Sequence, residues 1–237
     1  MTVSGIDQAD LGQFIGQLKE LLELQKDWGR PFLPWPKKHQ EPSGYTRHPS
    51  DHFESISDLN RTILECQKCR LFRNRLQAVP GQGTSNSRLM FIGEGPGFEE
   101  DRQGLPFVGP AGQLLTKMIQ AIDLRREDVY ITNVVKCRPP ENRVPLEEEV
   151  EACRPFIEEE IRLIDPQILV PLGNSAAQAL TQSKKKISDL RGHIVDLNGR
   201  RLIPSFHPAY LLRNPEFKRE AWEDLKKVRR IYDGMAE

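Results

Sequence analysis

Arg88-Leu89-Met90-Phe91-Ile92, then Gly93-Glu94-Gly95-Pro96-Gly97-Phe98-Glu99-Glu100-Asp101-Arg102-Gln103-Gly104-Leu105-Pro106-Phe107-Val108-Gly109-Pro110-Ala111-Gly112, then Gln113-Leu114-Leu115-Thr116-Lys117-Met118-Ile119: the fold is decided by how this stretch reads. The first five residues are apolar after Arg88 and read as a buried strand. The last seven read as a helix. Between them lie six glycines and three prolines in twenty residues, a backbone that is permissive in some places and fixed in others. A strand that runs through a Gly-rich loop into a helix is where open α/β sheets place their ligands. The loop is not a nucleotide-binding one. No Gly-Lys-Ser/Thr follows it, and Phe98 stands where the dinucleotide spacing needs its third glycine.

Outward from this stretch, strands and helices alternate. Residues 128–133 and 167–172 read as further strands, and 145–164, 173–180 and 217–233 as helices. Residues 194–197 and 201–204 flank Asn198-Gly199, a hairpin signal. This order predicts a three-layer α/β/α sandwich with a mostly parallel central sheet. Residues 53–65 read as a helix that delivers Cys66. Residues 6–27 read as an amphipathic helix, and the Pro-rich stretch 29–52 as a linker, so the expected division is 1–52 and 53–237. Lys184-Lys185-Lys186 reads as a solvated turn.

The chain has 237 residues, 38% hydrophobic and 29% charged, with a formal net charge of zero. That composition fits a globular chain and neither favours nor forbids a nucleic-acid partner. There is no apolar run long enough for a membrane span and no basic-then-apolar start, so the expected compartment is the cytoplasm. Four cysteines in a reducing compartment ask for a metal before disulfides. They run Cys66-x-x-Cys69, Cys137, Cys153, the last two separated by fifteen residues. Zinc and an iron–sulfur cluster both accept four thiolates, and the absence of a second close pair leans towards a cluster.

Four further residues are candidates for chemistry. His207, fixed by Pro208 after a strand, is placed to give a proton or a hydrogen bond to a ligand, although a lone histidine is as often structural. Asn133 ends a strand with one acceptor and two donors, or caps a turn. Phe107, in its Gly/Pro loop, is a core plug or a stacking surface for a flat ligand. Glu94, between glycines, is the acid best placed to face a pocket.

Together these stretches resemble the family 4 uracil-DNA glycosylases, the iron–sulfur-containing type. The matching runs are Gly93–Gly97, Gly104–Gly112, Thr132-Asn133-Val134-Val135-Lys136-Cys137-Arg138-Pro139-Pro140 and His207-Pro208-Ala209-Tyr210-Leu211-Leu212, with the four cysteines in order. The resemblance covers about residues 53–232. It implies the uracil-DNA glycosylase fold and an enzyme that flips uracil out of DNA and hydrolyses its N-glycosidic bond. It further implies that Phe107 stacks on the base and that Asn133 reads its edge. Glu100 would crowd C5 against thymine's methyl, and His207 would donate to O2 as charge develops there. Cys66, Cys69, Cys137 and Cys153 would hold one structural [4Fe-4S] cluster, with no catalytic metal. Gly95 stands where other glycosylase families carry a water-positioning aspartate, so Glu94 is the candidate for that task. The starts of the helices at 111–112 and 173–175 would meet DNA phosphates. Leu211, Leu212 and Arg213 would fill the gap left by the base, or the leucines would pack in the core, and the loop with Lys136, Arg138 and Arg143 would face DNA. The implied partner is uracil-containing DNA, bound by a monomer; no motif identifies a partner for residues 1–52.

Two rival readings are a same-fold glycosylase for another deaminated base such as hypoxanthine, and a metal-stapled nucleic-acid-binding module without catalysis. A covalently bonding relative is disfavoured because the loop after Asn133 has no histidine.

Overall fold

A computed structural model describes residues 53–234. The helix expected at 6–27, the linker at 29–52 and the boundary at 52 lie outside the described residues.

The first described helix, α1 (Ile56–Glu65), is capped by Ser55, whose hydroxyl accepts from the Asp58 N–H at 3.2 Å, and it buries Leu59 and Ile63. Strand β1 (Leu89–Gly93) is buried along its whole length. It leads into a short helix, α2 (Phe98–Gln103), and then α3 (Pro110–Gln120), where Pro110 sets the first turn. Strand β2 (Tyr130–Asn133) follows, then the long helix α4 (Glu147–Ile164) and strand β3 (Ile168–Pro171). Helices α5 (Asn174–Thr181) and α6 (Ile187–Leu190) precede the hairpin of β4 (Val195–Leu197) and β5 (Arg200–Leu202). Helices α7 (Pro208–Arg213) and α8 (Lys218–Gly234) complete the described chain.

The sheet order is β2-β1-β3-β5-β4. The pairings β1–β2, β1–β3 and β3–β5 are parallel, and β4–β5 is antiparallel. Parallel strands covered on both faces need apolar side chains on both faces, and successive residues of β1 supply them. Leu89 and Phe91 join one core with Leu115, Ile119, Leu225 and Val228. Met90 and Ile92 join the other with Leu59, Ile63, Phe156 and Ile157. The predicted mostly parallel α/β/α sandwich is therefore the observed architecture. At the hairpin turn Asn198 and Gly199 both have positive φ, 54° and 84°, as that dipeptide predicts.

The differences are local. Helices α2, α6 and α7 were not expected, because each is a short run inside what reads as loop. The last core strand ends at Leu202 rather than Pro204. Beyond it the chain stays beside β3 through a Leu172–Ser205 bridge, so His207 sits past the strand on an extended tether.

Candidate active site

Gly93 and Asn133 are register partners at the carboxyl ends of β1 and β2. Gly93 leaves its flank open: a Cβ there would lie 2.3 Å from Asn133 Oδ1 and 2.5 Å from Phe107 Cζ. A bare Cα therefore separates a carboxamide from an aromatic ring, and any side chain would fill the slot between them. Asn133 is 2% exposed, and its Oδ1 has no hydrogen-bond partner among the described residues. An unpaired buried polar atom costs about 1–3 kcal/mol, and such an atom calls for an explanation.

Phe107 is buried and its backbone is in the left-handed region, φ 55°. For a bulky residue that conformation is strained by roughly 1–3 kcal/mol and persists only where its surroundings impose it. Here Glu100 does part of that work. Its Oε1 accepts from the N–H groups of Val108 and Gly109, both at 2.9 Å, and its Oε2 from Gly97 at 3.1 Å. Behind the loop, helix α3 approaches so closely that a Cβ on Gly112 would lie 1.9 Å from the Phe107 carbonyl oxygen.

His207 faces Phe107, with ring centroids 5.7 Å apart and planes inclined at 33°. Its Nδ1 accepts from the Ala209 N–H at 3.1 Å as helix α7 begins. That bond fixes the tautomer, leaving the proton on Nε2 to be donated. Burial first, and then the Arg213 cation, push the imidazole down to about 4, while Glu100 pulls the other way. The folded value lies below the unfolded one, near 6.5. Between these two values the unfolded chain binds a proton that the folded chain does not. This group's contribution to stability is thus complete above pH 6.5 and weakens as pH falls towards 4. If the neutral ring is the working form, single-turnover rates stay level through pH 6.5 and fall only on approach to 4. An inflection at 6.5 in the rate profile would show that the ring titrates as an ordinary histidine.

The Ser175 hydroxyl donates to Glu94 Oε2, joining the start of α5 to the loop after β1. Gly95 lies against the third segment of the site: a Cβ there would be 2.7 Å from Val135 Cγ2. Glu94, Glu100, Phe107, Asn133 and His207 thus come from a strand end and from the segments that follow the strands at one end of the sheet. Ser175 was foreseen only as part of a phosphate-binding turn.

One expectation does not survive, and one pair of alternatives is decided. Lys136 does not face DNA: it is 1% exposed, and its Nζ bonds Glu160 Oε2 at 2.6 Å and Thr132 Oγ1 and the Asn133 carbonyl at 2.7 Å each. Arg143 pairs with Glu149, at 2.7 and 2.8 Å, and its side chain remains 34% exposed. Leu211 is core, 1% exposed, whereas its neighbour Leu212 is 44% exposed. Consecutive helical residues point about 100° apart, so one can be core while the next meets solvent. Arg138 stays at the surface, its guanidinium over the ring of the exposed Phe98.

All four cysteines are free thiols. They lie close enough that a charge on one is felt by others: Cys66 on Cys69, Cys137 and Cys153, and Cys137 on Cys153. Burial raises three of them, Cys153 to about 12. Donors already point at the sulfurs, Arg75 Nη1 to Cys137 at 2.9 Å and the Lys136 N–H to Cys153 at 3.3 Å. Glu149, fully buried, ties the segments together. It binds Arg70 beside Cys69 and Arg143 beyond Cys137, and it accepts from Leu146 N–H at the start of the helix that carries Cys153. No three His, Cys, Asp or Glu side chains among the described residues are gathered for a single ion. No described helix is long and apolar enough to cross a membrane.

Comparison with known proteins places this geometry in a family. Residues 80–226 match the family described as the Uracil DNA glycosylase superfamily. A type-4 uracil-DNA glycosylase of Thermotoga maritima is 45% identical over 189 residues, 78% of this chain and 96% of that one. One from Archaeoglobus fulgidus is 43% identical over 183 residues, 74% of this chain and 92% of its own. A third, from Sulfurisphaera tokodaii, is 41% identical over 187 residues, 75% and 85%.

Proposed function

The chain belongs to the uracil-DNA glycosylase superfamily and, within it, to the type-4 enzymes, and from that premise we propose how its pocket works. The protein is a DNA-repair enzyme that hydrolyses the N-glycosidic bond of uracil in DNA and leaves an abasic site. The base must leave the stack to be reached. The observation that carries the site assignment is the buried Oδ1 of Asn133, without a partner among the described residues, across a side-chain-free slot from Phe107.

A flipped uracil lies on Phe107, gives its N3–H to Asn133 Oδ1 and takes a hydrogen bond from the carboxamide NH2 at O4. Cytosine presents the opposite pattern and leaves both pairs unmade, each at about 1–3 kcal/mol. Glu100, held rigid by three N–H groups, walls the side where thymine carries its methyl. As the bond breaks, negative charge grows on the base, and His207 Nε2–H donates to O2 where that charge develops. Glu94, anchored at one oxygen by Ser175, directs water to the sugar with the other. Leu212 is the exposed side chain for the vacated gap, and Arg138 with Phe98 is the loop's cation and aromatic for the DNA strand.

The four thiols suit one [4Fe-4S] cluster. The donor set is four cysteines, N–H groups already face the sulfurs, and a cluster takes thiolates at separate corners without gathering them on one ion. When bound it supplies a structural staple; hydrolysis moves no net electron, and Glu149 and Arg75 hold the segments that receive it.

The test is incubation with end-labelled DNA carrying one uracil, then alkaline cleavage of abasic sites. Strand scission at uracil, and none at thymine or cytosine, is expected. Scission at hypoxanthine alone would move the specificity. Its absence throughout, from protein that retains its iron and binds the DNA, would favour a binding module.

A further inference from the structure

On the reading that Phe107 carries the base, we propose that Arg126 is a positioning residue that grips the Phe107 turn at its preceding carbonyl, as Glu100 grips the N–H groups after it, and holds the stacking ring in its working orientation. Arg126 opens a short 3-10 turn, Arg126–Asp128, just before β2. Its Nη2 donates to the Pro106 carbonyl at 2.6 Å, and its Nη1 to Thr116 Oγ1 at 3.2 Å. Thr116 donates in turn to the Gly112 carbonyl at 3.1 Å, on the helix turn against which the Phe107 carbonyl is pressed.

The turn is thus held at both ends. Glu100 takes the two N–H groups after Phe107, and Arg126 takes the carbonyl before it. One clamp is anionic and the other cationic, which matches the polarity of the backbone groups each receives. A φ of 55° at a phenylalanine is intrinsically unfavourable, so without one clamp the turn can relax towards an ordinary conformation and swing the ring. Arg126 is half-buried, and burial lowers its basicity, yet Asp128 pairs with Arg125 and not with it. Arg126's described hydrogen bonds all go to the platform loop and α3. Lysine keeps the charge but replaces the rigid planar fork, whose two nitrogens serve separate acceptors, with donors on a single nitrogen.

The test compares Arg126→Met, Arg126→Lys, Phe107→Ala and the double variant Arg126→Met/Phe107→Ala in the full chain. Three quantities are read for each: inhibition by free uracil, kcat/KM on a uracil strand, and affinity for a strand with a stable abasic analogue. Arg126→Met should weaken free uracil about tenfold or more and lower kcat/KM in step, while abasic affinity stays within twofold, because that ligand has no base to stack. Arg126→Lys should recover part of the loss. In the Phe107→Ala background, Arg126→Met should change uracil affinity less than twofold, since no ring is left to position.

Uracil affinity unchanged by Arg126→Met, alongside a clear loss in Phe107→Ala, would overturn the clamp alone. Equal losses in both backgrounds, or abasic affinity falling in parallel, would also overturn it by making Arg126 a general support of the fold. If Phe107→Ala itself leaves uracil affinity intact, the platform reading fails and the clamp with it. Should the methionine variant not fold, the lysine variant decides by the same readouts.

Discussion

His207→Ala should lower single-turnover cleavage of a uracil strand by about 10²–10³, the usual effect of losing one donor aimed at developing negative charge. The reason is local. Nδ1 is occupied by the Ala209 N–H, so the one N–H of the neutral ring is on Nε2. On the proposed role, removing it takes a donor from the leaving uracil and a neighbour from one side of Phe107, while the Asn133 carboxamide stays in place. Ground-state affinity for an abasic analogue should therefore change little, and the loss should sit in kcat rather than KM. A rate within tenfold of wild type would mean that the charge on O2 is stabilised elsewhere.

Lys136→Met should destabilise the protein by about 3–5 kcal/mol, the cost of breaking a buried ion pair from one side. Glu160 is fully buried. It accepts from Lys136, from Thr132 at 2.8 Å and from the Gly81 N–H at 3.0 Å. Without the ammonium its charge remains and has only neutral donors. Nearby, the Tyr130 hydroxyl is buried without a partner among the described residues, and burial and Glu160 together raise its pKa. For a chain of this size the expected fall in Tm is roughly 6–20 °C. Because Lys136 Nζ also holds the Asn133 carbonyl, activity should drop even in the fraction that stays folded. Adding Glu160→Gln removes the orphaned charge and keeps an acceptor for Gly81, so the double variant should melt above Lys136→Met. A single variant that melts within 2 °C of wild type would contradict the account.

The centre of the sheet was legible because β1 and β3 are short, wholly apolar runs, and its edge hairpin because Asn198-Gly199 marks the turn. The candidate site was legible for a similar reason. Asn133 is the polar last residue of β2 and His207 lies past β5, and the carboxyl ends of parallel strands share one edge of the sheet. What was not legible depends on contacts between distant residues. Lys136 reads as a surface cation until Glu160, on the facing helix, is brought against it. Arg126 sits in the run Arg125-Arg126-Glu127-Asp128, which looks like a solvated turn; nothing local says that one arginine pairs with Asp128 while the next crosses to Pro106. Leu211 and Leu212 are indistinguishable as letters, and only the packing of α7 separates core from surface. The left-handed backbone of Phe107 is likewise imposed by tertiary contacts, and residue type would argue against it.

The account stands most directly on one structure, that of the protein crystallised with free uracil, the product of its reaction. It predicts the ring stacked on Phe107, with N3–H on Asn133 Oδ1 and O2 on His207 Nε2. Uracil bound elsewhere, or bound there with a water or a second protein group satisfying Asn133 Oδ1, would contradict it.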